Sequence, residues 1–395
     1  MDLGKNNDMD VKIMKSTTTI WIITGVMNAG GAESLIMNML RYKYDNICYK
    51  LIVHGAKNGE IGIHDEEIRT LGIDIHYLPA VGAVGEKAYS KAFNNLITEI
   101  GKPDIIHSHL NAVGGIIARV AKKAGIKHRI VHCHADIHFT GNFLSKIINE
   151  VKLQIMRIYV NLFATDYFAC SESAAKRLFY NHKKAIIINN AISVEQYLCT
   201  PEKYNAARAS LGIDETALVI GAVGRITRIK NYETILKALT KLKQDKINAV
   251  FVCYGRAADK DYYNELFEEC HKLNIVDNVK FMGNSSDIHT DIAAFDIFVL
   301  PSFTEGLGIV ALEAQAAGKH CLLSTGVPPK ADVGLGLVEY INPNDYESWA
   351  TKIKTHKTKE IEHNEILAAF SEAGFNASTE IQHIETCYFN ITGEH

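Results

Sequence analysis

Residues 218–242 read LVIGAVGRITRIKNYETILKALTKL. Leu218–Val223 is a run of β-branched and small apolar residues, which predicts a strand. Tyr232–Leu242 repeats its apolar residues at helical spacing, which predicts a helix. Gly224-Arg225 ends the strand, and Lys230-Asn231 opens the helix. Cations are disfavoured at a helix N-terminus because of the backbone dipole. Arg225 and Lys230 at this turn therefore fit a bound anion. A diphosphate suits them, since arginine grips it bidentately and lysine meets it as a point charge.

The same strand–turn–helix rhythm runs outward in both directions. Downstream, strands are predicted at Ala249–Tyr254, Val279–Phe281, Ile297–Leu300 and His320–Leu323, with helices between them. Upstream, strands are predicted at Thr19–Thr24, Lys50–Val53, Ile75–Leu78, Asp104–His107, Arg129–Cys133, Tyr167–Cys170 and Ala185–Ile188. Crossovers of this length imply parallel sheets, so the fold class is α/β with two Rossmann-like domains. The expected boundaries are a flexible polar N-terminus at 1–16, a first domain at 17–192 and an interdomain connection at 193–214. A second domain follows at 215–372, then a C-terminal helix at 373–395 returning to the first domain. Ligands of such sheets sit at the carboxyl ends of the strands, which predicts a site in the cleft between the domains.

Composition narrows the class. The chain has 395 residues, 47% hydrophobic and 22% charged, which excludes a disordered, collagen-like or disulfide-scaffold protein. No apolar run reaches the roughly 18–20 residues that span a bilayer. A net charge of −3 gives no basis for nucleic-acid binding. Residues 1–195 carry a net +5 (23 Lys+Arg against 18 Asp+Glu) and the remainder a net −8 (19 against 27). A basic first half suits an anionic membrane surface or a phosphorylated substrate. The eight cysteines form no C-x-x-C pair and read as free thiols in a reducing compartment. The polar start lacks a secretory apolar region, so a cytoplasmic location is expected.

Three other strand ends carry unusual chemistry. Met27–Glu33 places Gly30-Gly31 after the first strand, where backbone amides at a helix start can approach a phosphate. His107-Ser108-His109 and His132-Cys133-His134 close two later strands. Two H-x-H pairs at strand ends could ligate a metal, but no cysteine or carboxylate cluster completes a set. Hydrogen bonding to a sugar hydroxyl or phosphate is the favoured role, and cleft-lining histidines with structural partners are the other reading. Leu300–Ala314 holds Glu305 and Glu313, eight apart, with the helix expected to begin near Gly306. Gly306-Leu307-Gly308 offers amides to an anion, and Glu313 in a small apolar helix needs a partner such as a ribose diol. Gly306, Gly308 and Ala311 match a loose dinucleotide fingerprint, but Glu305 would repel a pyrophosphate beside it, which argues against a nicotinamide enzyme.

Taken in order, Gly30-Gly31, His109, Gly224-Arg225 with Lys230, and Glu305 with Glu313 resemble the family 4 retaining glycosyltransferases of the GT-B fold. The Ile130–Asp136 and Phe168–Ser173 segments look like branches that build capsular, exopolysaccharide or lipopolysaccharide chains. Asn231 stands where that family often has glycine. The resemblance implies transfer of a sugar, with retained configuration, from a nucleotide-diphosphate sugar to a hydroxyl of a glycan or lipid-linked glycan. UDP is favoured over GDP by the family's prevalence. It implies Glu305, Arg225, Lys230 and His109 as catalytic residues. Gly30, Gly31, Arg225, Lys230, Gly306, Leu307, Gly308 and Glu313 would bind the donor, with Glu33 and His134 on the acceptor side. No metal and no cofactor is expected, as no D-x-D stands out as a metal site. A lipid-linked acceptor would put the enzyme on the inner face of the plasma membrane, and the apolar Phe143–Phe163 helix could touch it. Two other readings are a nucleotide-sugar epimerase or hydrolase of the same fold, and a non-catalytic nucleotide-sugar binder.

Overall fold

The computed structural model describes residues 17–28, 30–42, 46–56, 60–135, 137, 139, 142–357 and 359–393. The segment 1–16, expected to be flexible, lies outside them. So do Ala29 in the glycine turn, and Asp136 and His138 beside the second histidine pair.

The described residues form two compact units, one drawn from the stretches 1–189 and 381–395 and one from 190–380. The first holds β1 (Thr18–Thr24), β2 (Ile47–His54), β3 (Ile75–Leu78), β4 (Ile105–Ser108), β5 (His128–Cys133), β6 (Asp166–Ala169) and β7 (Ile186–Ile187). The second holds β8 (Leu218–Val223), β9 (Ala249–Tyr254), β10 (Val279–Gly283), β11 (Ile297–Leu300), β12 (His320–Ser324) and β13 (Val338–Ile341). Their orders are β3-β2-β1-β4-β5-β6-β7 and β10-β9-β8-β11-β12-β13, with every pairing parallel. Both are doubly wound. The chain moves outward from the first strand of each sheet, then crosses back to its other side. This reversal opens a crevice at the carboxyl ends of β1 and β4 in one sheet, and of β8 and β11 in the other.

Helices on both faces explain the strands' near-continuous apolar character. β9 is buried along its whole length. In the first unit, Ile20 and Ile22 face one core and Trp21 and Ile23 the other, as a two-residue period requires. All eight cysteines are free thiols, and five of them are buried.

The stretch 193–214, expected as a connection, is built into the second unit. Helices Val194–Tyr197 and Pro201–Ser210 form there, and Val194, Tyr197, Ala207 and Leu211 join the core with Phe295 and Leu312. Pro201 starts a helix here, behind the Thr200 hydroxyl that caps Lys203. Helix Ala377–Thr392 places Ile381, Ile384 and Tyr388 in the first unit's core beside Ile20 and Phe168.

Candidate functional site

In the second unit, the strand ends around the β8–β11 reversal carry opposite charges. Lys230 Nζ lies 2.6 Å from Glu305 Oε1, and both side chains are only 15% exposed. The buried Ser302 donates from Oγ to the same oxygen at 2.5 Å. Ser302 is in turn bonded through its carbonyl to the Ser324 hydroxyl, and the Glu305 amide donates to the Gly326 carbonyl at 3.0 Å. The Glu305 loop is thus braced from two sides. A partly dehydrated ion pair with a third hydrogen bond holds its geometry better than an exposed one.

Lys230 reaches this place because of two backbone features. Gly224 has no side chain, and the Lys230 amine lies 3.3 Å from where a Cβ would stand. Asn231 has φ +54 and caps helix Tyr232–Gln244, while its amide donates to the Pro301 and Pro343 carbonyls at 3.2 and 2.8 Å. Asparagine tolerates the left-handed conformation and ties it down, which glycine does not. Arg225 is exposed at the end of β8. Arg228 is committed elsewhere, to Glu265 at 2.6 Å.

The helix after β11 spans Ile309–Ala316, starting three residues later than expected from Gly306. Gly308 is its cap, at φ +82, a conformation that suits glycine. Gly306 is exposed, and Leu307 packs against the core. Glu305 therefore sits on a loop four residues before the helix, and Glu313 lies one turn inside it. Glu313 Oε1 accepts from the Tyr197 hydroxyl at 2.8 Å. Loss of hydration pushes the Glu313 carboxyl up, while the Tyr197 bond pulls it down. Its remaining lone pairs can still meet a diol.

In the first unit, Gly30 caps helix Gly31–Arg41 with extended backbone and no side-chain cap, and Glu33 folds back over it. At the carboxyl ends of β4 and β5, four histidines stack. His107 Nε2 is 3.1 Å from His132 Nδ1, and His109 Nδ1 is 2.8 Å from His134 Nε2. His107 Nδ1 meets the Tyr388 hydroxyl at 2.5 Å. His107, His109 and His132 each bring one nitrogen within 4.8 Å of the others, but both nitrogens of His107 already have partners. Burial drives the pKa values of His107, His109 and His132 well below the ordinary one, and that of His134 down to about 4. The four rings are neutral at pH 7. His109 Nε2 and His134 Nδ1 have no partner among the described residues.

Residues 203–375 match the family model for group 1 glycosyl transferases. EpsF of Bacillus subtilis (strain 168) is 32% identical over 332 residues, 83% of this chain and 84% of EpsF. The chain belongs to this glycosyltransferase family. CapH of Staphylococcus aureus, a capsular polysaccharide biosynthesis glycosyltransferase, is 22% identical over 83% of this chain and 87% of its own. The crystal structure of Anabaena HepE in complex with UDP shares the fold, with TM-score 0.75 and 19% identity over 94% of this chain and 100% of that one. The GT-B architecture of two Rossmann-like domains is thereby established.

In this glycosyltransferase the sequence reading missed three supporting groups. Tyr197 was hidden in the supposed connection. Ser302 and Gly255 carry no motif of their own. A Cβ on Gly255 would collide with the Gly224 carbonyl, so the β8 turn needs glycine on its neighbour too.

Proposed function

We propose that the enzyme moves a sugar from a UDP-sugar to a hydroxyl of a glycan or lipid-linked glycan acceptor, with retained configuration, in surface polysaccharide synthesis. The observation that carries this reading is the Lys230–Glu305 pair at the β8–β11 reversal, with exposed Arg225 after the same strand and a helix start at Gly308 that no side chain caps. The C1–O(phosphate) bond breaks, negative charge gathers on the leaving diphosphate, and the acceptor oxygen bonds to C1. The acceptor proton passes to the leaving phosphate, so no separate enzymic base is assigned. Arg225, Lys230 and the amides of Gly306, Leu307 and Gly308 stabilise that charge. Glu305 bonds the sugar hydroxyls and Glu313 the ribose. Gly30 and Gly31 serve the phosphates, His109 the donor sugar, and Glu33 and His134 the acceptor side. UDP as the nucleotide draws support from the HepE complexes with UDP and UDP-glucose. Among the described residues, no helix is long and apolar enough to cross a membrane. Contact with the cytoplasmic membrane face is therefore proposed as peripheral.

The test is a donor screen with product analysis. Turnover of a UDP-sugar into an acceptor-linked α-glycoside supports the reading. An epimerised or hydrolysed donor with acceptor present, or turnover with GDP-sugars alone, overturns it.

A further inference from the structure

His109 and His134 are each held in place by their own backbone. The His109 amide donates to the Ile23 carbonyl at 2.8 Å, and the His134 amide donates to Asn111 Oδ1 at 2.7 Å. Asn111 has φ +48, a left-handed turn that asparagine tolerates. The two rings then meet with His109 Nδ1 2.8 Å from His134 Nε2, their planes 17° apart. Two ring nitrogens at this distance share one proton. Two bare lone pairs would repel, and two N–H groups would collide.

That shared proton constrains the outer nitrogens. Loss of hydration holds both rings neutral. Two neutral imidazoles carry two ring protons on four nitrogens. One lies in the shared bond, so the other sits at His109 Nε2 or at His134 Nδ1, never at both. One outer nitrogen donates and the other accepts. Neither has a partner among the described residues. The neighbouring rings do not scramble this order. His107 is engaged at both nitrogens, by Tyr388 and by His132. His132 stacks on the His134 ring, with centres 4.0 Å apart.

We propose that His134 is a positioning residue for His109: it sets the His109 tautomer, and so ties the hydrogen bond offered to the donor sugar to the one made with the acceptor. An acceptor hydroxyl that donates to His134 Nδ1 leaves His109 Nε2 as an N–H for a sugar oxygen. One that accepts from His134 Nδ1 leaves His109 Nε2 as a lone pair for a sugar O–H. The inference rests on the reading of His109 at the donor sugar and His134 on the acceptor side, and it adds how the two are linked.

The test is ring-nitrogen NMR of the full chain with labelled histidine, using His109→Ala and His134→Phe to assign the two rings. The protonated fractions at His109 Nε2 and His134 Nδ1 should sum to one. His134→Phe keeps a ring against His132, yet it should abolish the shared-proton signal and shift the His109 tautomer populations. His134→Gln, whose amide can take over the bond, should restore a bonded His109 Nδ1. Outer nitrogens that are both protonated or both bare, or a His109 spectrum unchanged by His134→Phe, overturn the proposal. A second arm is a double-mutant cycle on turnover of a UDP-sugar. His134→Phe should lower kcat at least about tenfold, as a mis-set tautomer at a working histidine does, with UDP affinity kept within about twofold as the check on folding. Adding His109→Ala should then cost little more than the worse single change. Losses that multiply, or an effect of His134→Phe confined to acceptor KM, also overturn it. Absence of turnover with every UDP-sugar counts against the proposed reaction, while the NMR result decides the positioning by itself.

Discussion

The two reversal points share a topology and differ in chemistry. At β8–β11, a lysine and a glutamate form a pair, with an arginine exposed on the same strand end. Beside the β1–β4 reversal, at the ends of β4 and β5, the polar groups are stacked, buried, neutral imidazoles. A doubly wound sheet thus supplies the crevice, and the residues at its strand ends decide what the crevice does. Fixed charges suit a diphosphate whose charge grows during reaction. Neutral rings with unfilled nitrogens suit hydroxyl groups, which need hydrogen bonds and no net charge.

The largest expected effect that sharpens this comparison is on rate. Lys230→Ala should lower kcat by about 10²–10³, the cost of removing one group that stabilises developing charge. His109→Ala should cost less and act on donor-sugar turnover without moving UDP affinity. Steady-state kinetics on both variants would check this. Equal losses of UDP affinity would break the distinction between the two strand ends.

Next comes stability at the β8 turn. Gly255→Ala must move the Gly224 carbonyl, and it holds alanine at φ +148. Overpacking of this kind costs about 1–3 kcal/mol. A lower urea midpoint with unchanged m-value would agree, and an unchanged midpoint would not.

The third expectation is pH dependence in the first unit. Unfolded histidines take up protons near their ordinary value of 6.5, while the buried four resist protonation, His134 until about pH 4. The unfolded state therefore binds more protons in that window, and stability falls as pH drops from about 6.5 toward 4. Each such ring contributes about 1.4 kcal/mol per pH unit. The two tryptophans allow the units to be followed separately, since Trp21 is buried in the first and Trp349 in the second. Trp21 fluorescence should report acid unfolding before Trp349 does. The reverse order would contradict the histidine account.

The smallest effect concerns Glu313. Tyr197→Phe removes one support of the Glu313 carboxylate and no contact to the donor itself, so the effect should stay below about 1 kcal/mol, roughly fivefold. A modest rise in donor KM with little change in kcat is expected from the kinetics.

Much of the fold was legible because it is local. Strand–turn–helix units announce themselves by apolar runs and by the glycines at strand ends, and the resulting strands differ from the expected ones by a few residues at most. What was not legible depends on distant contacts. Thr200, Pro201 and the polar residues around them look like a linker, and only packing against Phe295 and Leu312 makes that stretch part of a domain. Lys230 and Glu305 could each be picked out as unusual, but their pairing across 75 residues is a product of the β8–β11 reversal. The Tyr388–His107 bond joins residues 281 apart and leaves no trace in either neighbourhood. The helix start at Ile309 was misplaced because glycine reads equally well as helix start or loop, and its φ decides.

The central claim is that the diphosphate of the donor is held by the charged strand ends of the second unit. Titration calorimetry with UDP on the wild type, Lys230→Ala, Arg225→Ala and His109→Ala tests it most directly. The account predicts binding to the wild type, at least a tenfold loss in both cation variants and an unchanged affinity in His109→Ala. UDP affinity that survives both cation variants, or that disappears with His109→Ala, would contradict it.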